Sequence, residues 1–121
     1  MKTVLVQGNF DLLHPGHIRL LKFARECGDH LIVAVNTDSA MEVASRLDQE
    51  HRLEMVRSLQ CVDEALLTDL PPPKLVAQLQ PSIVVKGKEF EGRLNKELDA
   101  LQMYGGKLIF GSGEFDTGSV L

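Results

Sequence analysis

Cysteine is scarce: Cys27 and Cys61 are the only two, and they stand far apart in the chain. That excludes a CxxC metal clip and a disulfide framework, and both are read as buried thiols. Long apolar runs are absent as well. The first hydrophobic segment, Val4 to Val6, lies between polar Thr3 and Gln7 and falls far short of the ~20 residues that span a membrane. With no signal peptide or anchor in view, a cytoplasmic protein is expected. There is no excess of positive charge, since 13 Lys and Arg stand against 17 Asp and Glu for a net charge of −4. A protein whose main task is gripping nucleic acid is thereby excluded. No internal repeat or low-complexity linker interrupts the chain. What is present is an ordinary globular composition, 44% hydrophobic and 25% charged over 121 residues, the length of one domain.

Runs rich in aliphatic residues mark strands at Thr3 to Val6, Leu31 to Val35, Ile83 to Val85 and Lys107 to Phe110, with a weaker one at Glu64 to Leu67. Between them apolar residues recur every three or four positions, as in Leu53, Val56 and Leu59, then Leu75 and Leu79, then Leu94, Leu98 and Leu101, which is helical spacing. Strands separated by helices pair in parallel through crossovers. The expected fold is therefore α/β, a Rossmann-like doubly wound sheet of about five parallel strands with helices on both faces. Punctuation agrees: Pro15 suits the first position of a helix, Gly28 the residue after one, and Gly105 with Gly106 the end of the last. Pro71, Pro72 and Pro73 form a rigid lead into a helix. An NAD-type domain is excluded, because no Gly-x-Gly-x-x-Gly follows the first strand.

The stretch that carries chemistry is Gly8-Asn9-Phe10-Asp11-Leu12-Leu13-His14-Pro15-Gly16-His17, directly after the first strand and opening the first helix. Ligands of open α/β sheets bind at the carboxyl ends of strands. Gly8 lets a ligand approach the backbone, and the free N–H groups near Gly16 and His17 attract phosphate. His14 and His17 together put two imidazoles at one helix N-terminus, where a transition state can gain charge stabilisation without a protein nucleophile. His30 and His51 have no such setting.

This stretch resembles the GxFDLLH signature of the HxGH nucleotidyltransferases, in the cytidylyltransferase-like branch that holds glycerol-3-phosphate cytidylyltransferase and the nucleotidyl domain of ADP-heptose synthase. Gly28 to Asp38 is similar to that branch's second strand, Gln49-Glu50-His51-Arg52 ahead of Val62-Asp63-Glu64 to its ER and VD elements, and Val84-Val85-Lys86-Gly87 to its fourth-strand turn. The resemblance implies a Mg²⁺-dependent enzyme. A phosphorylated small molecule, a sugar phosphate or polyol phosphate, attacks the α-phosphorus of CTP or ATP, and pyrophosphate leaves with no covalent enzyme intermediate. It implies catalytic roles for His14, His17 and Asp11, and nucleotide contacts from Gly8, Asn9, Phe10, Gly16, Arg52, Lys86, Gly87, Glu89 and Thr117. Arg52 would hold phosphate through bidentate hydrogen bonds, while Lys86, Gly87 and Glu89 approach base and ribose. Relatives of this kind form homodimers. Asp11 also suits a turn carboxylate, Arg52 a helix-surface residue beside an acidic neighbour, and Asp38 a helix cap.

Two departures stand out. The segment Ser39 to Glu50 is shorter than the family's lysine-bearing loop and holds Arg46 as its one cation, and Asp116 stands where the last motif usually has serine, with no arginine after Phe110. Glu114 and Asp116 would alternatively attend a metal or a substrate hydroxyl. These departures keep open a catalytically degenerate nucleotide-binding or regulatory module. The end at Val120-Leu121 reads as the amino-terminal nucleotidyltransferase part of a longer polypeptide, fused to a sugar kinase domain.

Overall fold

The computed structural model describes residues 1–11 and 13–111. The aliphatic runs form β1 (Thr3–Gly8), β2 (His30–Asn36), β3 (Glu64–Thr68), β4 (Ile83–Gly87) and β5 (Lys107–Gly111). Between them lie α1 (Pro15–Glu26), α2 (Gln49–Arg57), α3 (Pro72–Leu79) and α4 (Glu97–Gln102). All ladders are parallel, in the order β3-β2-β1-β4-β5, so the doubly wound sheet expected from the sequence is the fold.

The strands are apolar at successive positions because both faces are covered. Val4 and Val6 turn to the face where Leu21 and Ala24 of α1 and Leu53 and Val56 of α2 pack. Leu5 turns to the opposite face, against Leu75 and Val76 of α3 and Leu101 of α4. Each such valine or leucine side chain contributes roughly 1.5–3 kcal/mol by leaving water, and the Ala24 methyl less.

Helix boundaries follow the local chemistry. Pro15 opens α1 after an extended His14, and Pro72 and Pro73 occupy the first turn of α3 behind Pro71, where a missing N–H costs nothing. Gly28 follows α1 as expected, for a steric reason: a Cβ there would sit 2.7 Å from the Lys2 carbonyl oxygen and from Val4 Cγ2. Gly105, at φ +85°, supplies the left-handed residue after α4, and Gly106 N–H closes back on the Leu101 carbonyl at 2.8 Å.

Two expectations are corrected. Leu94 precedes α4 and is 85% exposed, and of the trio Leu94, Leu98 and Leu101 only Leu101 is buried. The helical spacing there runs through a turn that Asn95 builds by donating to the carbonyls of Phe90 and Arg93. The cysteines are half-buried rather than buried; they flank the α1/α2 core, and desolvation raises both thiol pKa values. Among the described residues no helix is long and apolar enough to cross a membrane.

Candidate active site

β1 pairs with β4 only at Val4↔Ile83 and Leu5↔Val84, although β1 runs on to Gly8 and β4 to Gly87. Beyond Leu5 the two strands part. This is the point where the strand order reverses, the crevice in which such sheets bind ligands, and it opens into a cavity of about 850 Å³.

Most of the expected site residues meet there. Gly8, Asn9, Phe10, Asp11 and His17 line the cavity from the β1 side, and Lys86, Gly87 and Glu89 from the β4 side. A side cavity of about 440 Å³ adds His14 and Gly16. Thr117, Asp116 and Glu114 lie outside the described residues.

The two histidines cap α1 reciprocally. Gly16 N–H donates to His14 Nδ1 at 3.0 Å, and His14 N–H donates to His17 Nδ1 at 3.3 Å. Orphan donors of the first turn are satisfied this way, and the imidazoles lie 3.9 Å apart between ring centroids. With each Nδ1 accepting, the neutral rings carry their proton on Nε2. Phe10 positions the pair: it adopts φ 52°, an uncommon conformation for a bulky residue, is buried, and lies 6.2 Å from the His17 ring.

Asp11 Oδ1 accepts from the Ser45 hydroxyl and, at 3.1 Å, from the Arg46 N–H. The Ser45 hydrogen bond first, then the Arg46 N–H and the charges of Arg46 and Arg52, hold its carboxyl below the usual range. Asp11 therefore stays ionised and ties the segment between β2 and α2 to the β1–α1 turn.

Arg52 is placed differently from expectation. Its side chain is fully buried. Nε donates to the Leu47 carbonyl (3.2 Å), Nη1 to those of Asn9 (2.6 Å) and Asn36 (2.7 Å), and Nη2 to Asp38 Oδ1 (2.8 Å). Four of the five guanidinium N–H groups are spent inside the protein, so Arg52 braces the ends of β1 and β2 from beneath and offers phosphate no bidentate face. Asp38 completes the brace through Gln49, whose N–H it accepts at 3.3 Å and whose Oε1 accepts the Asp38 N–H at 2.9 Å.

On the β4 side Lys86 Nζ reaches Asn95 Oδ1 (2.7 Å) and Glu97 Oε2 (3.1 Å) and lies 4.8 Å from the Phe90 ring centroid. Glu97 is buried, so the lysine charge is offset within the wall. A Cβ on Gly87 would meet the Glu89 carboxylate, the end of an exposed, flexible side chain that lies close over this turn.

Three site residues escaped the sequence reading: Gln7, Asn36 and Glu97. Gln7 Nε2 donates to Asn36 Oδ1 (3.0 Å) and to the Leu70 carbonyl (2.9 Å), and Asn36 Nδ2 donates to Asn9 Oδ1 (2.8 Å). Among the described residues Gln7 Oε1 has no hydrogen-bond partner, and Gln7 lines the cavity. The side-chain partners of Gln7 and Asn36 lie 27 to 63 residues away and that of Glu97 lies 11 away, beyond any local pattern.

Comparison with known proteins places this geometry. A family model described as cytidylyltransferase-like matches residues 5–107. Bifunctional protein HldE of Gluconobacter oxydans is 37% identical over 117 residues, 89% of this chain. The chain spans about a quarter of that relative's length, 24%. FAD synthase of Methanohalophilus mahii is 40% identical over 79% of this chain and 75% of its own. Among solved structures, the lipopolysaccharide core biosynthesis protein of Thermoplasma volcanium superposes with a TM-score of 0.78 at 29% identity, covering 96% of this chain and 99% of that one.

Proposed function

The chain belongs to the cytidylyltransferase-like family, and from that premise we propose that it is a nucleotidyltransferase. It moves a nucleoside monophosphate from CTP or ATP to a sugar phosphate or polyol phosphate and releases pyrophosphate. The observation that carries this reading is the histidine pair at the N-terminus of α1, set in the crevice where β1 and β4 part. An acceptor phosphate oxygen attacks the α-phosphorus, the bond to the bridging oxygen breaks, and no enzyme bond forms. Such chemistry asks for positioning and charge neutralisation. The His14 and His17 imidazoles stand at the N-terminus of α1, where the positive end of the helix dipole favours the triphosphate's charge; the Gly16 and His17 N–H groups, expected from the sequence to be free for phosphate, are instead spent on His14. The wall around Lys86, its charge offset by Glu97, suits base and ribose.

Mg²⁺ is proposed as the cofactor. Among the described residues no three metal-ligating side chains gather, which fits an ion bound chiefly by triphosphate with one or two carboxylates. Asp11 would hold it through Oδ2, its Oδ1 being engaged by Ser45 and Arg46; the ion would neutralise phosphate charge. The proposal extends to a longer natural polypeptide in which a sugar kinase supplies the acceptor, supported by the quarter-length match to a protein named bifunctional. The intact mass of the natural product tests that extension.

The FAD synthase relative favours one further acceptor. Flavin mononucleotide is a polyol phosphate carrying an aromatic ring, and Leu70, Pro71, Val76 and Val84 give the cavity an apolar flank. The experiment is pyrophosphate release with Mg²⁺ from CTP, ATP, UTP and GTP against pooled sugar phosphates, polyol phosphates and flavin mononucleotide, with His17→Ala as the blank. Release with one nucleotide, lost in the variant, supports the reading. Silence from folded protein that still binds nucleotide replaces it with a degenerate binding module.

A further inference from the structure

The structure removes two expected holders of phosphate. The N–H groups of Gly16, His17 and Ile18 are all spent on His14, and the Arg52 guanidinium is buried beneath the strand ends. A polyanion in this crevice is therefore held by the side chains that line it, and these are sorted by charge. The main cavity carries Asp11, Asp69, Glu89 and Glu97, and its lysine, Lys86, is paired with Glu97 at 3.1 Å. The adjoining cavity, lined by the segment after β2, carries Asp11 and Glu42 and no cation among the described residues. The side cavity of about 440 Å³ is the basic one. His14, His17 and Arg19 come to it from α1 and its cap, and Glu89 is its one carboxylate among the described residues. His17, Leu20, Gly87 and Glu89 line both the main and the side cavity, so the two form one crevice with a basic end.

Arg19 is the one arginine among the described residues that line these three cavities. Its place follows from helix geometry. Arg19 stands one turn after Pro15 in α1, and helical side chains lean toward the N-terminus, so a long side chain there covers the turn that holds Gly16. It is half-buried and carries a planar fork of donors that matches phosphate oxygens. We propose that Arg19 holds the two outer phosphates of the nucleoside triphosphate in the side cavity and keeps hold of them as pyrophosphate departs. The inference deepens the nucleotidyltransferase reading and rests on it. When the acceptor oxygen bonds to the α-phosphorus, the bond from that phosphorus to the α–β bridging oxygen breaks, and its electron pair stays on the pyrophosphate. The charge that grows there is met by a guanidinium, which stays protonated throughout and transfers no proton.

The test is nitrogen-15 NMR titration of the 121-residue chain, which reads weak and tight binding alike. The probes, each with Mg²⁺, are inorganic pyrophosphate, the α,β-methylene analogue of CTP or ATP, and the matching nucleoside monophosphate, which lacks the outer phosphates. In Arg19→Gln, pyrophosphate and the analogue bind at least about tenfold more weakly, the scale of a hydrogen bond to a charged group, while the monophosphate stays within about twofold of the parent. Arg19→Lys, which keeps the charge without the fork, loses about threefold for pyrophosphate and carries the test where Arg19→Gln does not fold. Lys22→Gln removes the same charge one turn further along α1, from an exposed residue that lines none of these cavities, and changes no affinity. Pyrophosphate and analogue affinities undiminished in Arg19→Gln overturn the inference and leave the functional reading standing. So does an equal loss for all three probes, which would make Arg19 a support of the site's shape. Equal losses in Arg19→Gln and Lys22→Gln reduce the effect to net charge and overturn the inference too. A parent protein that binds neither pyrophosphate nor either analogue overturns the functional reading itself.

Discussion

Replacing Arg52 with lysine separates a brace from a phosphate ligand. The guanidinium is fully buried, makes four hydrogen bonds to three carbonyls and one carboxylate, and shares its charge with Asp38. Lysine keeps the charge, but one ammonium cannot reach oxygens that lie on several sides of a planar fork. The Leu47, Asn9 and Asn36 carbonyls are left competing for one donor group. Asp38 is half exposed, so the loss comes chiefly from buried carbonyls left without a donor, about 1–3 kcal/mol each and several kcal/mol together, a large share of the ~5–15 kcal/mol that holds a domain together. For a domain of this size that lowers Tm by roughly 10–20 °C, readable by calorimetry or circular dichroism. Turnover should fall too, because Asn9 and Asn36 sit at the strand ends that shape the cavity, and the fall should appear for both substrates. A variant that melts within about 1 kcal/mol of the parent while its KM for nucleoside triphosphate alone rises tenfold or more would refute the brace and restore Arg52 to the phosphate.

His17→Ala should keep the fold and lose at least about a hundredfold in turnover, the scale for removing a preorganised donor to transition-state charge, as read by pyrophosphate release with circular dichroism as the control. Gly28→Ala should destabilise by about 1–3 kcal/mol through overpacking against Lys2 and Val4, measured by urea denaturation; a neutral result would contradict the close approach. Because the Asp11 pKa is lowered in the fold, the tie to Ser45 and Arg46 is fully present above the unfolded value of about 3.9 and is lost as pH falls through the lower folded value. Protection of the Arg46 amide against hydrogen exchange should drop at that point in the parent, and Asp11→Asn should lack this acid step. A parent whose protection does not change would contradict the tie.

The sheet was legible because a strand covered on both faces must be apolar at successive positions, and each of the five aliphatic runs became a strand. The start of α1 was legible because Pro15 and the paired histidines can only be accommodated together at a helix entry. The start of α4, the last helix among the described residues, was harder. Leu94 keeps helical spacing with Leu98 and Leu101, but Asn95 spends its amide on nearby carbonyls and ends the pattern's meaning. Arg52 misled through the resemblance: Gln49-Glu50-His51-Arg52 is similar to an element that implies a phosphate contact, and only the convergence of Asn9, Asn36 and Asp38 reveals that its donors are already used. Gln7 and Asn36 carry no local signal at all, since amides are common on strand ends and their orientation depends on a carbonyl at Leu70.

The central claim is that the crevice between β1 and β4 transfers a nucleoside monophosphate directly to a phosphorylated acceptor. The measurement that tests it most directly follows label from nucleoside triphosphate carrying radioactive phosphorus at the α position, in parallel with a sample labelled at γ, using the nucleotide and acceptor identified by pyrophosphate release. The account predicts that α-label moves into a small-molecule product, that γ-label leaves as pyrophosphate, and that the protein retains neither. Release of γ-label as orthophosphate, or its transfer to the acceptor, would contradict it.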